Sequence, residues 1–394
     1  MSENTQAKNN NQEQNPENIE IFALATDPIY IGTGGYTIGR VDNTIVRDPI
    51  TNVPKIPGSS LAGTWRYYTV LETLKDIKDK QPDWDEIKAS EGSTIGEKLE
   101  KVDWKENPSE GWKAFPGNKI MKITCAGQDN IPQEELSNAP FATDRDGKTG
   151  HCGHCIVCKG FGFSKKDISW QGQIFFSDLN IIFFPVFTIK GTKWITTVSR
   201  LKEIKLRDID SKAGKEQDDE NLCFVFEKLA EDESVGHINL GWLYLPYKIE
   251  NNESLKNNIQ KILENLKFQV SFSLKDIIIV PDSLFSHIVN SNLEVRTSVS
   301  IDPITGAAKE GALFTSEAIP RGTIFYGNIR IFDKKVFEGI EEKLKPLPEK
   351  KQLCEALENS RHYYETLGIG GMTTRGFGRL KITSPNWKEE DKNE

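Results

Sequence analysis

Three cysteines at 152, 155 and 158, with histidines at 151 and 154, share the short run HCGHCIVC. No other stretch constrains the fold as tightly. Thiolates spaced three residues apart are brought together by a tight turn and can reach one tetrahedral ion, for which zinc is the usual choice. A disulfide framework would scatter its cysteines, whereas half of the six present are packed together. Clustering suits a metal in a reducing compartment, so a cytoplasmic location is expected. The three thiols need a fourth ligand. His151 is the first choice, His154 the second and Cys125 a distant third. Nothing implies an open coordination position, so the site reads as structural. Cys223 and Cys354 stand alone and read as buried thiols.

The rest of the chain narrows the class by exclusion. The longest apolar runs, such as Ile181–Phe187, are far too short to cross a bilayer. The start, MSENTQ, has neither the basic nor the apolar part of a secretory signal. Residues 1–18 and 386–394 are polar and charged, and are expected to be disordered tails. Stretches 76–140 and 203–290 have poor periodicity or acidic runs and read as large insertions. With 50 Lys+Arg against 58 Asp+Glu, the net charge is −8. That balance argues against a generic nucleic-acid binder. The acidic residues concentrate in the tails and insertions, however, as in Glu216–Glu220. Beyond about 8–10 Å charges are largely screened at physiological salt, so the local field decides what binds.

Several segments carry chemistry of their own. A strand is expected from Ile19. In PKIPGSSLAGTWRYY, Pro57 and Ser59 or Ser60 signal a helix start, with a serine as N-cap. Leu61, Trp65, Tyr68 and Leu71 then recur at helical spacing and define a buried face. The free N–H groups of such a helix start, with Ser59 and Ser60, suit a phosphate. Arg66, two turns on, can reach the same ligand. Residues 169–187 read as two strands about a turn. Two β-like runs flank Asp302-Pro303-Ile304-Thr305-Gly306, a hairpin signal. Helical stretches are expected at 333–345 and 349–367, separated by Pro346 and Pro348. The closing GIGGMTTRGFG offers backbone donors at Gly370 and Gly371 beside Arg375, with no acid between Thr366 and Lys381. Asp42 and Asp48 lie in one loop, and spacing does not choose between them.

Four of these segments, in order, resemble a known group. They are IGTGGYTIGRVDNTIVRDPITNVPKIPGSSLAGTWR (31–66), the cysteine run followed by KGFG, RTSVSIDPITGAAKEGALFTSEAIPRGTIF (296–325) and GIGGMTTRGFGRL (368–380). Together they resemble the RAMP proteins that form the backbone of type III CRISPR effector complexes, in their Csm and Cmr forms. The resemblance implies an α+β fold, a ferredoxin-like (RRM-like) palm spanning 19–385. It would carry a zinc loop at about 145–165 and a thumb β-hairpin at about 293–325. It implies that Ser59, Ser60, Arg66 and the Gly370–Arg375 loop hold CRISPR guide RNA phosphates. The thumb, near Ile301–Lys309, would wedge between bases. Asp42 occupies the position needed for cutting target RNA, by attack of the 2′-OH with Mg2+ or another divalent cation. The expected partners are guide RNA, complementary target RNA, adjacent RAMP subunits, a small subunit and a large polymerase-like subunit. The alternatives are a non-catalytic guide-binding scaffold and a standalone guide-processing endoribonuclease. The latter would use a histidine base, for which His237, His287 and His362 are the available residues. A zinc-stabilised protein-interaction module without RNA ranks last.

Overall fold

The computed structural model describes residues 17–34, 41–78, 123–127, 151–153, 155–165, 168–204, 221–229, 235–266, 273–340, 344 and 346–387. The body of the 76–140 insertion, His154, the acidic run at 216–220, residues 1–16 and the end after Trp387 lie outside the described residues. In chain order the strands are β1 Glu17–Ala25, β2 Lys55–Ile56, β3 Phe163–Lys165, β4 Ile168–Trp170, β5 Ile174–Phe176, β6 Leu179–Thr188, β7 Gly191–Thr196, β8 Cys223–Val225, β9 Val235–Leu240, β10 Leu243–Ile249, β11 Ile277–Ile279, β12 Glu294–Ile301, β13 Ala308–Ala318, β14 Ile324–Ile331 and β15 Leu380–Thr383. The helices are α1 Gly58–Lys78, α2 Ile156–Phe161, α3 Val198–Glu203, α4 Glu253–Asn265, α5 Asp282–Ser291, α6 Lys350–Ser360 and α7 Tyr363–Thr366.

Two compact units result. The first gathers Gly58–Ser177 and Asn328–Tyr363, with the chain up to Ile19. Its spine is α1. Leu61, Trp65 and Tyr68 are buried, as their spacing predicts. The Trp65 indole N–H donates to Leu357 O (3.1 Å) and Ser360 Oγ (3.2 Å) on α6, so the ring's polar edge is satisfied as well as its area buried. The helix begins at Gly58 itself, which places Ser59 and Ser60 inside the first turn and not at the cap. The reason is a close approach: a Cβ on Gly58 would lie 2.8 Å from Phe176 O. Residues 169–187 form three strands where two were expected. The Trp170 indole donates to Lys159 O (2.7 Å) and Gln173 N to Gly160 O (2.8 Å), and these bonds end β4 before β5 begins. Within the stretch 333–345, Lys334–Phe337 forms one 3-10 turn, with Phe337 edge-on to Trp170.

The second unit comprises Glu20–Pro57, Asp178–Gly327 and Tyr364–Glu394. It is built on a mixed sheet in the order β15-β1-β14-β6-β7-β11-β8-β10-β9. The pairs β7/β11 and β8/β10 are parallel and most others antiparallel. Central strands β1 and β6 read as near-continuous apolar runs because both their faces are covered. Phe22, Phe183, Phe224, Ile277 and Tyr326 share one core with Leu255 and Ile259 of α4. The stretch 203–290, set apart from the sequence as an insertion, supplies β8 to β11 to this sheet. The hairpin predicted about Asp302–Gly306 is β12/β13, a separate two-stranded ribbon. Its first strand is exposed along most of its length. The class is α+β with a large mixed sheet, and no helix among the described residues is long and apolar enough to cross a membrane.

Candidate functional site and metal centre

The cysteine run folds as the spacing requires. Cys155 caps α2, its Sγ accepting from Cys158 N at 3.4 Å, while Cys152 Sγ accepts from Cys155 N at 3.2 Å. Cys125, on the 3-10 turn Ile123–Ala126, accepts from Cys152 N at 3.4 Å. The four Sγ atoms of Cys125, Cys152, Cys155 and Cys158 lie within 4.8 Å of one another, and all four residues are buried. His151 is not in this group. Its Nδ1 lies 3.0 Å from Arg66 Nη2, and the fourth side chain beside the three clustered thiols is Cys125. A fourth soft donor completing three thiols was the available signal, but Cys125 is far away in sequence. The thiol of Cys125 is held well below its ordinary value, chiefly by its bond with Cys152, while burial pushes Cys155 well above. Buried thiols divided in this way share protons among themselves, and a cation would let all four ionise. Lys159 follows directly, only 1% exposed, its Nζ donating to Leu344 O. Burial lowers its pKa to about 8, with the nearby cysteines opposing that shift.

Arg66 belongs to this centre. Its Nε donates to Cys125 O (2.6 Å) and its Nη1 to Gly162 O (2.7 Å), beside the contact with His151. One guanidinium thus ties three segments of the cysteine loop to α1. Three of its five N–H groups are thus engaged within this centre, beside the phosphate role expected of Arg66 from the sequence. Ser59 is exposed and Ser60 half-buried in the first turn of α1, so the helix start remains accessible there.

In the second unit, three predicted segments meet at the root of the hairpin. Thr315 N and Oγ1 both donate to Asp42 Oδ2 (2.7 and 3.0 Å), and Asp42 N donates to Thr315 Oγ1 (3.1 Å). The segment continues as a strap along β13. Asn43 bridges Ser316 in parallel, and Arg47 pairs with Glu317 at 2.7 Å. The Thr315 bonds, first that from its backbone N–H, hold the Asp42 carboxyl below its ordinary value. Asp42 is therefore an exposed, ionised carboxylate on a fixed support. Asp48 does a different job: its Oδ1 closes a turn by accepting from Ile50 N and Thr51 N.

The glycine loop arrives from the other side of the hairpin root. Arg296 Nη1 donates to Gly376 O (3.1 Å), and its guanidinium stacks on Phe377 at 4.7 Å. Ser316 Oγ contacts Met372 Sδ at 4.0 Å. A Cβ on Gly370 would meet Tyr30 O at 2.2 Å, and the φ of +80° there also demands glycine. Gly371 N donates to Tyr30 O (3.1 Å), so that donor is spent on packing and is not offered to a phosphate. Arg375 is exposed and has no ion pair among the described residues. Sequence reasoning missed Thr315, Ser316 and Arg296, because a hairpin read as a wedge draws the eye to its tip and not its root.

The chain is 25% identical over 224 residues to the protein named CRISPR system Cmr endoribonuclease Cmr4 from Pyrococcus furiosus, covering 56% of this chain and 72% of that protein. A shorter match, 40% identical over 50 residues, is to the CRISPR system Cms endoribonuclease Csm3 of Streptococcus thermophilus, and spans 13% of this chain and 23% of that one. A chain in a cryo-EM structure of type III-B Cmr-beta bound to cognate target RNA has the same fold, with a TM-score of 0.50, 14% identity and coverage of 94% of this chain and 98% of that one. Residues 23–381 match the RAMP superfamily, and the chain belongs to that family.

Proposed function

We propose that the chain is a backbone subunit of a type III CRISPR ribonucleoprotein, with a ferredoxin-like palm, that binds guide RNA and cleaves complementary target RNA at Asp42. The observation that carries this reading is the hairpin root. There an ionised carboxylate is fixed on the hairpin that also receives the glycine loop, whose Arg375 is exposed with no ion pair among the described residues, and a cation can offset the charge of a phosphate under attack. The reaction is attack of a 2′-OH on its own phosphate. The O2′–P bond forms, the P–O5′ bond breaks, and the products are a 2′,3′-cyclic phosphate and a protonated 5′-OH. A carboxylate held below its ordinary pKa is a weak proton acceptor near neutrality. Asp42 thus suits holding a cation against the scissile phosphate better than taking the 2′-OH proton. One protein carboxylate with substrate phosphate oxygens is a sufficient donor set for Mg2+, which would supply charge neutralisation there. Arg375 would steady the phosphate. The four thiols suit a structural zinc, bound by Cys125, Cys152, Cys155 and Cys158.

One observation favours the non-catalytic scaffold instead: Asp42 already serves as the strap to Thr315. Asp42→Asn in the assembled complex separates the two, because the amide oxygen still accepts from Thr315 while the charge is gone. Cleavage of matched target is expected to fall at least about 100-fold with guide binding intact. Unchanged cleavage would leave the scaffold. The processing endoribonuclease gains no support from its histidines. His362 pairs with Glu72 at 3.0 Å and His237 stacks on Tyr244.

A further inference from the structure

Lys159 is 1% exposed and is among the largest fully buried side chains of the protein. Lysine is almost never enclosed to that degree without a pairing anion, because a lone buried ammonium is costly. Its Nζ donates to Leu344 O, and no carboxylate pairs with it among the described residues. Packing holds it in place: Trp170 Nε1 donates to Lys159 O (2.7 Å), and the Nζ lies 5.9 Å from the centre of the Phe163 ring. A carbonyl offers only a partial charge, so the ammonium needs a further partner. The groups at hand are the thiols. Lys159 follows Cys158 directly on α2, and the charges of Cys152, Cys158 and Cys155 are within its electrostatic reach. Arg66 is a second cation fixed at the same centre, on Cys125 O and Gly162 O, and it too has no carboxylate partner among the described residues. Arginine has donors and no acceptor, so His151 Nδ1 accepts from Arg66 Nη2 and the imidazole is neutral.

We propose that Lys159 and Arg66 are the counter-charges of the four-thiol centre, two fixed cations that offset the charge of a divalent ion on four thiolates and so favour the divalent state of the metal. This rests on the four-thiol reading above. Four thiolates around a divalent ion leave two negative charges over, and the two cations cancel both. A trivalent ion, or His151 in place of one thiolate, would leave a single negative charge, and one cation would stand uncompensated in the interior. Backbone N–H groups also point at the Sγ atoms of Cys125, Cys152 and Cys155. A peptide dipole contributes a fraction of a charge, however, where an ammonium contributes a whole one. The centre thus selects its metal by charge as well as by the softness of its ligands.

The test strips the full chain of metal, titrates it with Zn2+ against a chromogenic chelator, and separately loads it with Fe2+ to measure the reduction potential. Lys159→Met keeps an unbranched stem and removes the charge, while Lys159→Arg keeps the charge. Lys159→Met is expected to bind Zn2+ about 10–100-fold more weakly, with Lys159→Arg close to wild type. The iron-loaded chain separates charge from packing. A ferrous centre carries one negative charge more than a ferric one, so loss of a nearby cation disfavours the ferrous form and lowers the potential. A tenfold change in the ferrous-to-ferric ratio, about 59 mV, is expected for Lys159→Met. Arg66→Gln removes the other charge independently and is expected to move the potential the same way, which keeps the test open should Lys159→Met fail to fold. Weaker zinc binding with an unmoved potential would mean that Lys159 only packs, and overturns the proposal. Unchanged zinc affinity and potential in both neutral variants overturn it too, with the four-thiol reading left standing. A wild-type chain that takes up neither ion overturns both.

Discussion

The cysteine centre and the hairpin root are both held by hydrogen bonds from backbone N–H groups, yet they spend them oppositely. At the cysteines every donor points inward, the thiols are buried, and the nearest cations, Arg66 and Lys159, are locked onto carbonyls. At the root the same kind of bond fixes a carboxylate that stays exposed, and Arg375 has no ion pair among the described residues. The first arrangement stabilises a loop. The second holds charge ready for a ligand. The contrast can be broken at either end.

The largest effect belongs to the cysteines. Cys125→Ser should abolish tight metal retention, and so should removal of the ion by a strong chelator. Elemental analysis should find about one zinc per wild-type chain and little in the variant, because a structural site contributes folding free energy outright. His151→Ala should keep its metal. If His151→Ala loses it and Cys125→Ser does not, the assignment of the fourth ligand is reversed. Next is the scaffold under the centre. Trp65→Ala removes a buried ring together with its indole bonds to Leu357 and Ser360, at a cost of about 3–5 kcal/mol measured by denaturant unfolding.

Arg66 is the sharper probe, because the sequence placed it on the other side of the comparison. From the sequence it is a cation two turns from a helix start, and that suits a phosphate. In the fold its three nitrogens each bond one partner: Cys125 O, Gly162 O and His151. Arg66→Gln should weaken metal affinity by about 10–100-fold, the usual reach of groups that orient ligands, while leaving RNA affinity nearly unchanged. A loss of RNA binding with metal retained would restore the phosphate role. Local patterns made much of this protein legible: the α1 face, the cysteine turn, the hairpin and the glycine loop each follow from spacing within a dozen residues or so. Cys125, Thr315 and the partners of Arg66 come from distant chain, where no periodicity announces them. The 203–290 stretch failed for a related reason. Its strands β8 and β11 have only three residues each, too short to show a period, and gain their place from pairing.

The acid side tests the hairpin unit more gently. Asp48 is held down to about 2 from an ordinary value of 3.8, first by Thr51 N–H. A depressed folded value means stabilisation that is complete above the ordinary value and lost as pH falls toward about 2. Asp48→Ala should therefore cost about 1 kcal/mol at neutral pH, with the difference from wild type closing through that acid window. A difference that stays constant down to pH 2 would mean that the turn is not held by the ionised carboxylate.

The smallest effect is at Thr315, and it bears most directly on what the root does. Thr315→Val removes the hydroxyl's bonds to Asp42 Oδ2 and Asp42 N but keeps the backbone bond to Oδ2 at 2.7 Å. With one of its two donors gone, the Asp42 carboxylate is less favoured and its pKa should rise part of the way to the ordinary value. If cleavage needs Asp42 ionised, the acid limb of the rate profile should move to higher pH while the neutral rate hardly changes. A strap that serves only to hold the hairpin predicts the reverse: a lower rate at every pH and no movement of the limb. The displacement of the limb therefore measures whether the bonds at the root exist to tune a charge or merely to tie down a ribbon.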